Sequence, residues 1–275
     1  YGSFEIHPRS EADVVLAFAN SPPPPAPPVP PPSMTPISQI NYVADHTGEA
    51  CESSPLEGEM VGSSGYVSAV AYNGFYMQES TTGTEFGGIF VYCPSADDCG
   101  LASLATGDFV EVYAEVVEYY DLTELAEPES VTVVSTGHTL TPLVLTTGEL
   151  GTSCTWEGER WEGLLVTVQG VTILSAPNEY GEMGIDDGSG ETQLEDDLLD
   201  TDTHLSDLVG DDLVGTVMAS VTGVVRFAYG SFEIHPRSEA DVVLAFANSP
   251  PPPAPPVPPP SMTPISQINY VADHT

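Results

Sequence analysis

Carboxylates dominate the residue types in this chain that could do chemistry. Asp186 and Asp187 open the turn Asp-Asp-Gly-Ser-Gly, and Glu195, Asp196 and Asp197 follow shortly after. Oxygen-rich acidic turns hold Ca2+, so these five residues are the candidate calcium ligands. Their spacing is not that of an EF-hand. Turn formation by Asp and Gly also accounts for the first pair without any ion. A second acidic pair, Asp97 and Asp98, lies between Cys93 and Cys99. His7, His46, His138 and His204 are scattered. No HExxH, GxSxG or phosphate-loop pattern occurs, so no catalytic residue is assigned and no enzyme is expected.

The four cysteines are Cys51, Cys93, Cys99 and Cys154. Cys93 and Cys99 bracket a short Pro-Ser-Ala-Asp-Asp segment and could close a hairpin. Cys51 and Cys154 would then remain, and four cysteines allow three pairings. Disulfides in an oxidising compartment are the expectation. Four free buried thiols are the alternative. Zinc is disfavoured, because no His stands at ligand spacing from a Cys.

Charge narrows the partners. The chain has 41 Asp and Glu against four cations and a net charge of −37. Lysine is absent, and the cations are Arg9, Arg160, Arg226 and Arg237. Phosphate backbones are bound by neutralising them with Lys and Arg, so nucleic acid is not an expected partner, and neither is an anionic membrane. No apolar run reaches the roughly 18 residues of a membrane helix. Such a surface suits divalent cations and an extracellular or cell-surface setting.

The elements that must carry these residues are set by a repeat. Residues 1–47 return without a mismatch as residues 229–275. Divergent duplicates drift, so an unbroken match points to a tandem array whose period is 228 residues, Tyr1 reappearing as Tyr229. Inside the repeat lies a proline rod. Pro22, Pro23, Pro24, Pro25, Pro27, Pro28, Pro30, Pro31 and Pro32 fill it, between Ser21 and Ser33. Proline fixes φ and lacks an N–H, so helix and sheet are both excluded. Polyproline II remains, and it spans about 34 Å at about 3.1 Å per residue. An SH3 or WW ligand usually has a flanking cation, and none stands here. In composition the rod resembles the hydroxyproline-rich, O-glycosylated segments of extracellular matrix proteins. Ser21, Ser33 and these prolines are therefore the candidate linker and O-glycan positions.

Between the rods the pattern is that of strands. Short strands are expected at 37–43, 60–72, 74–80 and 87–93. One long strand is expected at 109–125, with Val110, Val112, Ala114 and Val116 on its buried face. Residues 130–135 add another. The second half repeats the grammar at 143–147, 163–174, 183–185, 191–194, 213–227 and 230–234, with a brief helix at 204–209. Phe75, Tyr76, Tyr113, Tyr119 and Tyr120 could stack on a ligand, although core packing is the plainer role for most of them. The expected fold is all-β, with two small Greek-key barrels per repeat joined to the next pair by the polyproline II linker.

Three segments carry a family likeness: GFYMQES, GGIFVYC and GDFVEVYAEVVEYYDLTEL. They resemble the OB-fold-like accessory domains found beside secreted bacterial nucleases. EGLLVTVQGVTI, GIDDGSG and YGSFEIHPRSEADV extend the resemblance through the second half. It implies OB-like barrels and carries over no catalytic residue, since the nuclease chemistry of that family sits in a separate domain. The expected layout is the end of a preceding barrel at 1–20 and a linker at 21–36. OB-like domains follow at 37–140 and 141–246, then the next linker at 249–264 and the start of the next repeat at 265–275. The expected function is a structural protomer of an extracellular tandem-repeat fibre whose partner is itself. The rivals are a secreted carbohydrate- or calcium-binding module and accessory domains of an extracellular nuclease.

Overall fold

Alternating apolar and polar residues build two closed sheets, one after the other along the chain. The computed structural model describes His7 and residues 33–42, 53–178, 180–199, 203–209 and 213–245. His7 aside, all of these belong to one compact unit, Pro32–Thr275. The proline rod from Ser21 to Pro32, and Cys51, lie outside the described residues.

The first sheet contains β1 (Met60–Ala71), β2 (Gly74–Gln78), β3 (Gly88–Tyr92), β4 (Phe109–Tyr119) and β5 (Leu122–Ser135). It is a closed barrel of order β1-β2-β3-β5-β4, and β4 pairs back on β1. Only β3 and β5 run parallel among these pairs. The period-2 pattern of β4 decides its orientation: Val110, Val112, Ala114 and Val116 point inward and are buried.

The second sheet contains β6 (Leu143–Val144), β7 (Leu165–Ile173), β8 (Met183–Asp186), β9 (Glu191–Leu194), β10 (Val217–Ala228), β11 (Ser231–His235) and β12 (Val242–Leu244). Pairing of β10 with β7 closes a ring of β7, β8, β9, β11 and β10. β9 and β11 are its parallel pair. The order matches the first barrel strand for strand, with β6 and β12 added outside the ring. Both barrels are therefore five-stranded Greek-key rings of the OB type. Each also places a short helical piece between its third and fourth strands: a 3-10 turn at Leu101–Ser103 in the first and a helix at Leu205–Val209 in the second.

Two expectations are corrected. Residues 37–43 do not start a strand; Ile37–Asn41 is a helix, α1. Pro36 sits at its N-cap, where the missing N–H costs nothing. Ile37, Ile40 and Asn41 follow the helical period and are all buried. The long strand expected at 109–125 is instead a hairpin. Tyr120 and Asp121 have φ of 51° and 66° and turn β4 into β5. Two positive φ values match the twist of paired strands, but Tyr-Asp lacks the Asn-Gly signature that reveals such turns in sequence.

The barrels meet along a dense seam. Ala69, Tyr76, Phe90 and Leu122 of the first pack with Leu165 and Val224 of the second. Backbone crosses the seam directly, with the Phe86 N–H donating to the Arg160 carbonyl at 2.7 Å. Gly88 and Gly163 lie back to back, and a Cβ on either would run into the other's backbone. Gln78, fully buried, accepts from the Leu165 N–H at 3.2 Å. The chain enters the first barrel pinned to its wall: Met34 bridges Gly62 and the Thr35 N–H donates to the Gly62 carbonyl at 2.6 Å. No helix among the described residues is long and apolar enough to cross a membrane.

Candidate functional site

The two acidic groups singled out in the sequence part company in the fold. Asp186 Oδ1 accepts from the Gly188 and Gly190 N–H groups at 2.6 and 3.1 Å. Asp187 accepts from the Thr147 hydroxyl at 2.8 Å, from the Thr147 N–H at 3.2 Å and from Ser189. Burial alone would raise the Asp187 carboxyl, but hydrogen bonds from Ser189 and Thr147 prevail and hold it below the usual range. These bonds tie the 186–190 turn to a short helix, α2 (Thr147–Leu150), so both carboxylates shape a loop. Asp196 is likewise committed: its Oδ2 accepts from the Leu205 N–H at 3.1 Å and lies 3.3 Å from His204 Nδ1.

Glu195 and Asp197 go elsewhere, to a residue the sequence reading passed over. Among the described residues, Glu195, Asp197 and His235 form the one group of His, Cys, Asp and Glu with three ligand atoms within 4.8 Å of one another. His235 Nδ1 lies 2.8 Å from Glu195 Oε2, and its Nε2 lies 3.2 Å from Glu233 Oε2. His235, Glu195 and Glu233 are buried, whereas Asp197 is exposed. Burial alone would lower the imidazole pKa, but the bonds to the two carboxylates outweigh it and push it up to about 9. His235 is therefore an imidazolium donating from both nitrogens. His235, Glu195 and Glu233 thus form an internal ion triad. Strand alternation was the available signal: Phe232 and Ile234 point one way, so Glu233 and His235 share the other face of β11.

Beside the triad, Arg226 pairs with Asp197 at 3.3 Å. Its charge also acts on Tyr76, whose hydroxyl is raised by burial first and by Glu162 next.

Further along the seam lie carboxylates with no cation of their own. The tip of the β4–β5 hairpin brings Glu118 and Asp121 against the chain that follows helix α3 (Trp156–Glu159). Glu118 Oε1 accepts from the Ser54 N–H at 2.6 Å and the Thr123 hydroxyl at 2.7 Å. Glu159 and Glu162 are 7% and 5% exposed, and Oε2 of each has no hydrogen-bond partner. Burial, with Glu118 and Asp121 nearby, pushes Glu159 up to about 8. Burial, Glu159 and Glu118 raise Glu162. Arg160 stands between the two in sequence but turns away, its guanidinium over the rings of Trp156 and Trp161 and 3.4 Å from Glu85. α3 begins where Thr155 caps the Gly158 N–H at 3.2 Å, and its register places Glu159 inward.

OB barrels take sugars and oligonucleotides on the second and third strands and on the loops 1–2 and 4–5. In the first barrel that face is used up, since Tyr76 and Phe90 are buried against the second barrel. Phe75 is core. Tyr119 and Tyr120 are exposed at the β4–β5 tip, with rings 4.8 Å apart. Tyr72 marks the β1–β2 turn. In the second barrel, Tyr180 and Tyr229 stack at 6.1 Å from the corresponding loops.

Cys93 and Cys99 form a disulfide with Cα atoms 6.1 Å apart. Cys154 is disulfide-bonded as well. The alternative of free thiols is thereby corrected for these three; for Cys93 and Cys99 the short loop and the buried sulfurs favour the bond. Asp97 and Asp98 sit in that loop and are exposed.

No family model matches the chain, and no curated protein matches it either. Among solved structures, the chain is similar to the HINb domain of p204 at 10% identity and a TM-score of 0.28, covering 59% of this chain and 80% of that one. A second, described as "Structural mimicry for functional antagonism", has 12% identity and a TM-score of 0.28, covering 66% of this chain and 89% of that one. The OB assignment rests on the strand order.

Proposed function

We propose that the chain is a structural protomer of an extracellular tandem-repeat filament, without catalysis, whose partner is its own next repeat. One observation carries this reading: the second copy of the repeated segment is an integral part of a barrel. β11 lies inside the ring between β10 and β9, with Phe232 and Ile234 fully buried, and β12 extends the same sheet. The same sequence stands at 1–17, and such a segment would finish another barrel of the kind. Each repeat would then be two fused OB barrels followed by a proline strut.

The seam supports a mechanical role, because it makes the barrel pair a stiff link and covers the usual ligand face of the first barrel. Disulfides suit an oxidising, extracellular setting. The acidic coat would keep neighbouring fibres apart, and the rod at 21–36 would set the spacing of the links. O-linked glycans on Ser21, Ser33 and the prolines would fit such a strut. A carbohydrate-binding module or a nuclease accessory domain shares the barrel type, but in the first barrel the strand face a sugar would use is covered, and the second needs a cationic face.

Electron micrographs of the native material test the proposal. The expected result is a filament with a regular axial repeat that shortens when residues 21–36 are deleted from every unit. Isolated monomers, or an axial spacing untouched by the deletion, would overturn it.

A further inference from the structure

We propose that residues 130–135 of β5 pair antiparallel with the same residues of a second copy of this chain, joining two molecules edge to edge. Only the start of β5 has strands on both sides. β3 pairs with it at Glu124, Leu125 and Ala126 and no further. There β5 bulges: Glu127 has φ of 47°, and the β4–β5 register shifts between Tyr113 and Glu115. Beyond the bulge β5 continues along β4, from Ser130 opposite Tyr113 to Ser135 opposite Phe109. No described residue pairs with its other edge there. In an antiparallel ladder every second residue turns its N–H and C=O away from the partner strand. Along 130–135 those groups face solvent, and Ser130, Thr132, Val133, Val134 and Ser135 are all exposed.

An open edge is ordinarily blunted by shortness, charge, proline or cover. The outermost strands of the second sheet, β6 and β12, are two and three residues long. The start of β1 is bridged at Gly62 by Met34. Residues 130–135, by contrast, read Ser-Val-Thr-Val-Val-Ser, with no charge, proline or glycine. Copies of a chain with a net charge of −37 repel one another, so contact is favoured where carboxylates are missing. The strip also complements itself. Centred on Thr132 or Val133, an antiparallel pair sets Glu129 of one copy against Ser135 or Gly137 of the other, so no two carboxylates along it face each other. Its run of β-branched residues suits cross-strand packing, and Val133 and Val134, 42% and 52% exposed, would gain cover. The same patch serves on both copies, so the pairing closes at two. It joins chains side by side, whereas the proposed filament joins repeats end to end, and it stands without the filament.

Sedimentation of the whole chain at rising concentration and rising NaCl tests it. Wild type should form a weak dimer, as so small a contact implies, and salt should favour it by screening the net charge. Thr132→Glu with Val134→Glu sets like charges against each other in either register, and should raise the dimer dissociation constant at least about tenfold. Mixed with Thr132→Lys, Val134→Lys chains, that variant should pair again. Ala102→Glu with Ser206→Glu adds the same charge at exposed positions elsewhere and should dimerise as wild type does. If the strand variants fail to fold, hydrogen exchange on wild type decides: amides within 130–135 should gain protection as concentration rises, while those of β12 do not. A wild type that stays monomeric throughout would overturn the pairing, as would a dimer that the Glu variant keeps, the mark of contact through another surface. These variants leave the proline rod untouched, so the axial period in micrographs and the dimer in solution fail separately.

Discussion

His235 shows what one proton can hold together. Its folded pKa is pushed up to about 9 from an ordinary value near 6.5. The stability it contributes is therefore complete below about pH 6.5 and is lost as pH rises through 9. The elevation corresponds to about 3 kcal/mol at most, at 1.36 kcal/mol per unit. Chemical denaturation at pH 6, 7.5 and 9 should show that decline, and His235→Gln should remove it while lowering stability at pH 6. An unchanged slope in the variant would mean that the imidazolium is not the tie. Glu124 works by the opposite route to the same trend. Burial pushes its carboxyl up to about 7, with Arg226 opposing. Keeping it buried is free of penalty below about pH 4.5 and costs more as pH climbs to 7. Glu124→Gln should flatten the profile across that window and raise stability at neutral pH.

At the scale of elements, the seam depends on two strands meeting without side chains between them. Gly88 on β3 faces the Gly163 backbone just before β7. Gly88→Ala should force the barrels apart and cost more than an ordinary surface change, about 1–3 kcal/mol as overpacking. Hydrogen exchange should rise at Leu165 and Tyr76 while the Val110 and Val112 amides stay protected. Uniform loss of protection would place Gly88 in the first barrel's own core. α1 gives a second test. Ile40 is fully buried and Gln39 exposed. Ile40→Ala should cost about 2–5 kcal/mol and Gln39→Ala close to nothing, a contrast that a thermal melt resolves.

For the whole molecule, charge sets the terms. A net of −37 makes the folded chain repel itself. Raising NaCl from low ionic strength should raise the melting temperature, steeply at first, as the screening length falls to about 8 Å at physiological salt. A melting point indifferent to salt would mean that the carboxylates are already neutralised by bound cations or protons. The paired barrels also explain why the exposed tyrosines cluster on loops: with the sheet face of the first barrel covered, only the rims remain for contact.

Local patterns by themselves located most strands, since alternation along 109–116 says which side chains can leave water together. They also placed the brief helix near 205–209 and the Cys93–Cys99 loop. What they could not decide is which distant residues meet. His7 and His235 have identical neighbours in sequence, yet the first is exposed and the second buried between Glu195 and Glu233. Glu118, Glu159 and Glu162 are unremarkable letters far apart in the chain until a hairpin tip meets the end of a short helix. Burial and charge pairing are properties of the packed neighbourhood, and only the tertiary fold supplies the neighbours.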